Sequence, residues 1–351
     1  MQAEEATGSH AIVKLDNYRF SGLDSSLVGA IKSVTDYYGL PLTASWIYGM
    51  TGLAFLFVLD ENMTEPNGGP PVPKVLRLAR NIGVDIEGFH VYADGEEFTR
   101  LQQEAWDKAR EAIAAGQPVF AKNIDIRNQF SVVYGYDDNG YYRYNWHTGY
   151  ELSEDVIPWN LLGLSRCTCI HCVNNRERAE AGGDITGGLV SLHCGRAVEA
   201  EDDHASFKQA LEFVIAINEQ GTYQCEWSGK TYLVGERAYE RWLEGLADGS
   251  LSQYFFSLFI EILNESRSHA VQFLTEVRER LAESNQALID ELTRTYNEIS
   301  AKFSILRDTY PYTEPPEHEV KESEWCALTL SEIQTLEKQA LGKIKEIYAA
   351  L

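Results

Sequence analysis

The stretch Gln129–Asn145, QFSVVYGYDDNGYYRYN, decides the fold class. Phe130–Val133 and Tyr141–Tyr144 are rich in aromatic and β-branched residues, and Asp137-Asp-Asn-Gly140 between them ends in Asn-Gly. That dipeptide accepts positive φ easily, so the segment reads as an antiparallel hairpin with a tight turn. Upstream, Val119–Ile124 reads as a third strand, separated by Gly116-Gln-Pro118 from a helix over Phe98–Ala115. Leu189–Cys194 supplies another strand and Ala11–Leu15 one more near the start.

Between these strands lie helical signals. Leu27, Ala30, Ile31, Val34, Tyr37 and Tyr38 recur at three and four, so Ser26–Tyr38 forms a helix with one buried face. Asp24, Ser25 and Ser26 are all N-cap types, and Gly39-Leu-Pro41 stops the helix. Gly49-Met-Thr-Gly52 leads into the apolar run Leu53–Leu59, and a loop over Pro66–Pro73 precedes a helix at Val75–Ile82. From about residue 203 the pattern turns almost wholly helical: Ser206–Ile217, Ala238–Leu246, Leu251–Ser266, Ala270–Leu281, Gln286–Asp308 and Leu330–Ala350. Such stripes pack on one another or across a dimer axis. The expected architecture is α+β, with a mixed domain over residues 1–198 and a mostly helical domain over 199–351.

Composition narrows the function classes. With 351 residues and 44% hydrophobic content, the chain can bury a substantial core. A formal charge of −23 argues against a nucleic-acid partner, because no basic stripe is available to neutralise phosphates. The longest apolar run is too short to span a bilayer, and MQAEEATGSH lacks the basic start and apolar core of a signal peptide. The expectation is a soluble, cytoplasmic, bacterial protein without a membrane partner. Reduced thiols follow from that compartment. Cys169 and Cys172 have the gap of a zinc knuckle, and Cys167, His171, His193 or Cys194 could complete a structural zinc site. The paired second half of such a motif is missing, so no cofactor is expected, with zinc on Cys167, Cys169, Cys172 and Cys194 as the alternative.

The segments Gly49-Met-Thr-Gly52-Leu-Ala-Phe55, Gly116-Gln-Pro-Val119 and Gln129–Asp137, with a helix ending Asp36-Tyr-Tyr-Gly39, resemble the papain-like superfamily in its double-glycine-peptidase-like branch. The match covers roughly residues 15–160 and is most similar to the butirosin biosynthesis protein H N-terminal domain family. The resemblance implies a papain-like cysteine-proteinase fold, an acyl-transfer or peptidase-like activity, and a Cys, His and Asn or Asp at the helix start and on the two hairpin strands. In this sequence those positions hold Ser26, Gln129 and Asn145.

The chemistry explains why those substitutions matter. A thiol at a helix N-terminus ionises readily beside an imidazolium, and the imidazole then shuttles the proton. A serine hydroxyl needs a base to ionise, and the Gln129 amide cannot accept and return a proton near neutral pH. Other bases are conceivable: His147 lies two residues beyond Asn145, and His90 sits in a Gly-Phe-His-Val context. The leading expectation is a catalytically degenerate domain that binds a peptide, acyl-carrier conjugate or small metabolite in the inherited groove. Its floor would hold Ser26, Gln129, Asn145 and Trp146, with Asp24, Ser25 and His147 nearby and the helix N-terminus facing a carboxylate or carbonyl. The alternatives are an active acyltransferase or hydrolase using Ser26, and a scaffold that dimerises through its helical region.

Overall fold

The computed structural model of the chain describes residues 11–63, 71–125, 129–146, 156–164, 187–225, 231–281, 285–313 and 319–351. They form a mixed α+β protein that divides into two compact units, Met1–Phe20 with Glu87–Arg196 and Ser21–Ile86 with Ala197–Leu351. This division differs from the one read from composition at residues 198 and 199, because residues 21–86 fold with the C-terminal helices.

The first unit is built on a seven-stranded antiparallel sheet. Its strands are β1 (Val13–Lys14), β3 (Val84–Ala93), β4 (Val119–Lys122), β5 (Phe130–Tyr136), β6 (Gly140–Tyr144), β7 (Ile157–Pro158) and β8 (Gly188–Ala197), in the order β3-β8-β4-β5-β6-β7 with β1 on β5. The expected hairpin is β5–β6, with Val132 opposite Tyr144 and a register shift between Val133 and Gly135. Asp137 organises the turn by accepting from the backbone N–H groups of Asn139 and Gly140 and from the Tyr142 hydroxyl. Gly140 has no alternative side chain, since a Cβ there would meet the Ile157 carbonyl at 1.9 Å. A helix over Gly95–Ala114 packs against β4 and β5. Its Trp106 meets Tyr141 edge-on with centroids 4.9 Å apart. Burying such rings contributes on the order of 1.5–3 kcal/mol each.

The second unit is mainly helical. In chain order the nine α-helices among the described residues are α1 (Ser26–Tyr37), α2 (Ala44–Met50), α3 (Val72–Asn81), the Gly95–Ala114 helix of the first unit as α4, α5 (Asp203–Gln220), α6 (Glu236–Asp248), α7 (Gln253–Arg280), α8 (Gln286–Thr309) and α9 (Ser323–Ala350). The apolar run Leu53–Leu59 divides into a 3-10 turn, Leu53–Phe55, and strand β2 (Val58–Asp60). β2 pairs with β10 (Thr231–Val234), which pairs with β9 (Thr222–Gln224), so a small sheet joins the early and late chain. α2 lies so close on α7 that a Cβ at Gly49 would enter the Phe273 ring at 2.1 Å. α8 packs on both α7 and α9, and α9 also packs on α5 and α6.

Helical boundaries differ from expectation at two places: α9 begins at Ser323, well before Leu330, and one expected break is closed. Leu251–Ser266 and Ala270–Leu281 are a single helix, because Arg267 at the supposed break is buried in an ion pair. No described helix is long and apolar enough to cross a membrane.

Candidate functional site

The entrance to α1 in the helical unit is built around a carboxylate. Ser25 occupies the N-cap position, yet its side chain makes no capping bond. Glu265 of α7 caps instead: Oε1 accepts from the Asp24 N–H at 2.9 Å and Oε2 from the Ser25 N–H at 3.0 Å. The Tyr48 hydroxyl of α2 donates to the same Oε2. Burial and then the charge of Asp24 raise the Glu265 pKa, against the three hydrogen bonds that favour its ionised form. The backbone donors expected to face a ligand carboxylate are therefore held by the protein's own side chain.

Ser26 begins α1 and is 2% exposed. Its hydroxyl has no hydrogen-bond partner among the described residues. An imidazole does stand in this unit. The His269 ring stacks on Tyr48 with centroids 4.8 Å apart, and its Nδ1 lies 2.9 Å from the Ser45 hydroxyl. Ser45 donates its proton to Gln272 Oε1 at 2.8 Å, so it accepts from Nδ1–H. That fixes the His269 tautomer and leaves Nε2 as an acceptor. Burial lowers the His269 pKa, while Asp24 pulls it back upward.

The other two positions expected to stand with Ser26 belong to the sheet unit. Gln129 is buried, and its carbonyl closes a loop by accepting from the Asn123 N–H at 3.2 Å. Asn145 is also buried, with its amide occupied at both ends: Ser131 donates to Oδ1, and Nδ2 donates to Asp125 Oδ2. Arg143 donates to that same oxygen through Nη2 at 2.6 Å and Nε at 3.2 Å. Asn145 thus bonds an aspartate and a serine, where the expectation from sequence resemblance is an imidazole. Trp146 is buried beside it in sequence. His147 and the cysteines Cys167, Cys169 and Cys172 lie outside the described residues.

A second imidazole cluster sits on β3 and β8. Ser191 Oγ lies 2.9 Å from His90 Nδ1 and 3.1 Å from His193 Nε2. Among the described residues no hydrogen-bond partner reaches the buried His193 Nδ1. An orphaned N–H is rarer than an orphaned acceptor, so the proton belongs on Nε2, which donates to Ser191, which donates to His90. Burial pushes His90 down to about 2, helped by the Lys122 and His193 charges, and pushes His193 down to about 3, helped by Lys108. His90 is a candidate from sequence; Ser191 is not. The alternation in Ser191-Leu-His193 places both side chains on one strand face, and that is the signal the sequence carries.

Cys194 points to the opposite face as a buried, free thiol, and burial pushes its pKa up to about 11. Among the described residues no group of three or more His, Cys, Asp or Glu could hold a metal ion. No family model matches the chain, and no curated protein matches it.

Proposed function

We propose that the protein is a catalytically degenerate relative of papain-like cysteine peptidases that acts as a binding protein for a peptide, acyl conjugate or small metabolite in bacterial secondary metabolism. The observation that carries this reading is Glu265 on the N–H groups of Asp24 and Ser25, immediately before Ser26. Acyl transfer at a helix start needs backbone donors facing developing negative charge. Here a fixed carboxylate already holds them, and a further anion there would meet repulsion. The Ser26 hydroxyl also lacks a bonded base among the described residues.

Labelling tests the reading directly. The protein treated with a fluorophosphonate or an activated thioester is expected to keep its intact mass. An adduct on Ser26 that disappears in Ser26→Ala would overturn the non-catalytic reading. One observation favours that second reading, an active acyltransferase or hydrolase: the His269 tautomer, with Nε2 left as a base. If an adduct forms, His269→Gln must abolish it for this imidazole to be the recruited base. A dimerisation scaffold has weaker support. Ile305 and Leu328 expose large apolar side chains in the helical unit, and isolated ones are ordinary on protein surfaces.

A further inference from the structure

The sheet unit carries a solvent-open cleft of ≈ 280 Å³ where the last turns of α4 meet β3 and the end of β8. That is just below the range of drug-sized ligand pockets, about 300–1,000 Å³, and suits a small molecule. Ala112, Ala115 and Cys194 give the cleft an apolar wall. Burial keeps the Cys194 thiol neutral, so it adds no charge there.

Four charged side chains line the same space, and two of them satisfy each other: Arg196 pairs with Glu87 at 2.9 Å. Lys108 and Glu111 do not pair, although they stand one turn apart on α4, a spacing that sets Cβ atoms about 5–6 Å apart. The Lys108 ammonium lies instead over the Phe89 ring of β3, 5.4 Å from its centroid. Neither Lys108 nor Glu111 has an ion-pair or hydrogen-bond partner among the described residues. Lys108 is half-buried and Glu111 exposed, so a ligand reaches both without rearrangement. The Gln117 side-chain amide also lines the cleft and makes no hydrogen bond among the described residues.

We propose that this cleft binds a free α-amino acid with an aliphatic side chain. Its carboxylate accepts from Lys108, its ammonium donates to Glu111, and its side chain lies on Ala112, Ala115 and Cys194. A simple anion would meet Glu111 and must also approach a chain carrying −23. A simple cation would meet Lys108. A zwitterion answers both unmatched charges and adds no net charge of its own. This proposal rests on no part of the reading of Ser26.

Ligand-observed NMR titration tests it with three probes: L-leucine, isocaproate, which lacks the ammonium, and isoamylamine, which lacks the carboxylate. Leucine is expected to bind saturably and about fivefold more tightly than either, the upper end for solvent-open ion pairs. In Lys108→Met its advantage over isoamylamine is expected to vanish, and in Glu111→Gln its advantage over isocaproate. Those matched losses separate the two charge contacts from any general damage to the cleft. The first substitution keeps an apolar stem over Phe89 and the second lies on the surface; circular dichroism checks that each variant is folded. If Lys108→Met fails to fold, the Glu111→Gln comparison decides. No saturable leucine signal, equal binding of the three probes by the wild type, or an advantage that survives in either variant overturns the proposal.

Discussion

In the sheet unit the buried pair Arg143–Asp125 leaves Asp125 Oδ1 without a hydrogen-bond partner among the described residues, whereas in the helical unit the pair Arg267–Glu337 is backed by further partners, the Ala54 and Leu56 carbonyls on Arg267 and the Tyr239 and Tyr296 hydroxyls on Glu337. The surroundings differ as well. Asp125 is wholly buried and serves as an anchor for Arg143 and Asn145 below the hairpin. Arg267 lines a cleft. An unmatched acceptor enclosed by protein is a cost that the sheet unit bears and the Arg267–Glu337 pair avoids. Buried ion pairs are weak evidence for net stability, yet removing one partner exposes the full cost of the other's burial.

That asymmetry can be broken from either side. Arg267→Ala is expected to have the largest effect, about 4 kcal/mol lost in chemical denaturation, because Glu337, the Ala54 and Leu56 carbonyls and the packing of the side chain lose their partner together. The pair Arg267→Met with Glu337→Leu should recover most of it. If the double substitution is as damaging as the single, the charge pair is contributing net stability and the argument from desolvation fails. Asp125→Ala comes next, at about 3 kcal/mol, since it strands the 5% exposed Arg143 side chain but also removes the enclosed Oδ1 atom. A loss equal to that of Arg267→Ala would erase the contrast between the two pairs.

Acid separates the units further. His90 and His193 in the sheet unit are held down to about 2 and about 3, chiefly by burial, while an unfolded histidine titrates near about 6.5. Below that pH the unfolded chain takes up protons that the folded sheet refuses. Their contribution to stability is therefore complete above about 6.5 and declines as pH falls, by up to about 1.4 kcal/mol per pH unit for each histidine. Glu265 in the helical unit runs the opposite way: its raised folded pKa makes protonation easier than in the unfolded chain, so acid relieves rather than weakens that site. Between pH 7.5 and 5.5 the urea midpoint is expected to fall in the wild type and to fall less steeply in a His90→Gln/His193→Gln variant. Parallel slopes would mean that the folded imidazoles take up protons as readily as those of the unfolded chain.

Local chemistry makes much of the fold legible. The Asn-Gly turn and the aromatic alternation around it mark the β5–β6 hairpin, and the periodic stripes mark most helices to within a few residues. β3 escapes such a reading because Glu87 and Gly88 interrupt its alternation and its partner β8 lies about a hundred residues further on. The pairing of β2 with β10 is likewise invisible, since nothing local in Val58–Asp60 points to Thr231–Val234. For the candidate site, the residue types at 26, 129 and 145 can be read directly, but not their surroundings. Glu265 reaches the N–H groups of Asp24 and Ser25 from some 240 residues away, and only the packing of α7 brings it there.

The smallest effect tests that cap. Glu265→Ala removes the acceptor of two backbone donors and of the Tyr48 hydroxyl, and loss of a helix cap costs about 1 kcal/mol. Part of that loss is offset, because the mutation also removes a buried carboxylate that sits near the charge of Asp24. The more telling consequence is chemical. With Glu265 gone, the N–H groups of Asp24 and Ser25 can receive an outside anion, so acetate or formate should raise the melting temperature of Glu265→Ala and leave the wild type unchanged. The Glu265→Gln variant should respond weakly, since its amide oxygen still satisfies one donor. A wild-type response as large as that of the alanine variant would mean that the α1 entrance is open to ligand carboxylates despite Glu265.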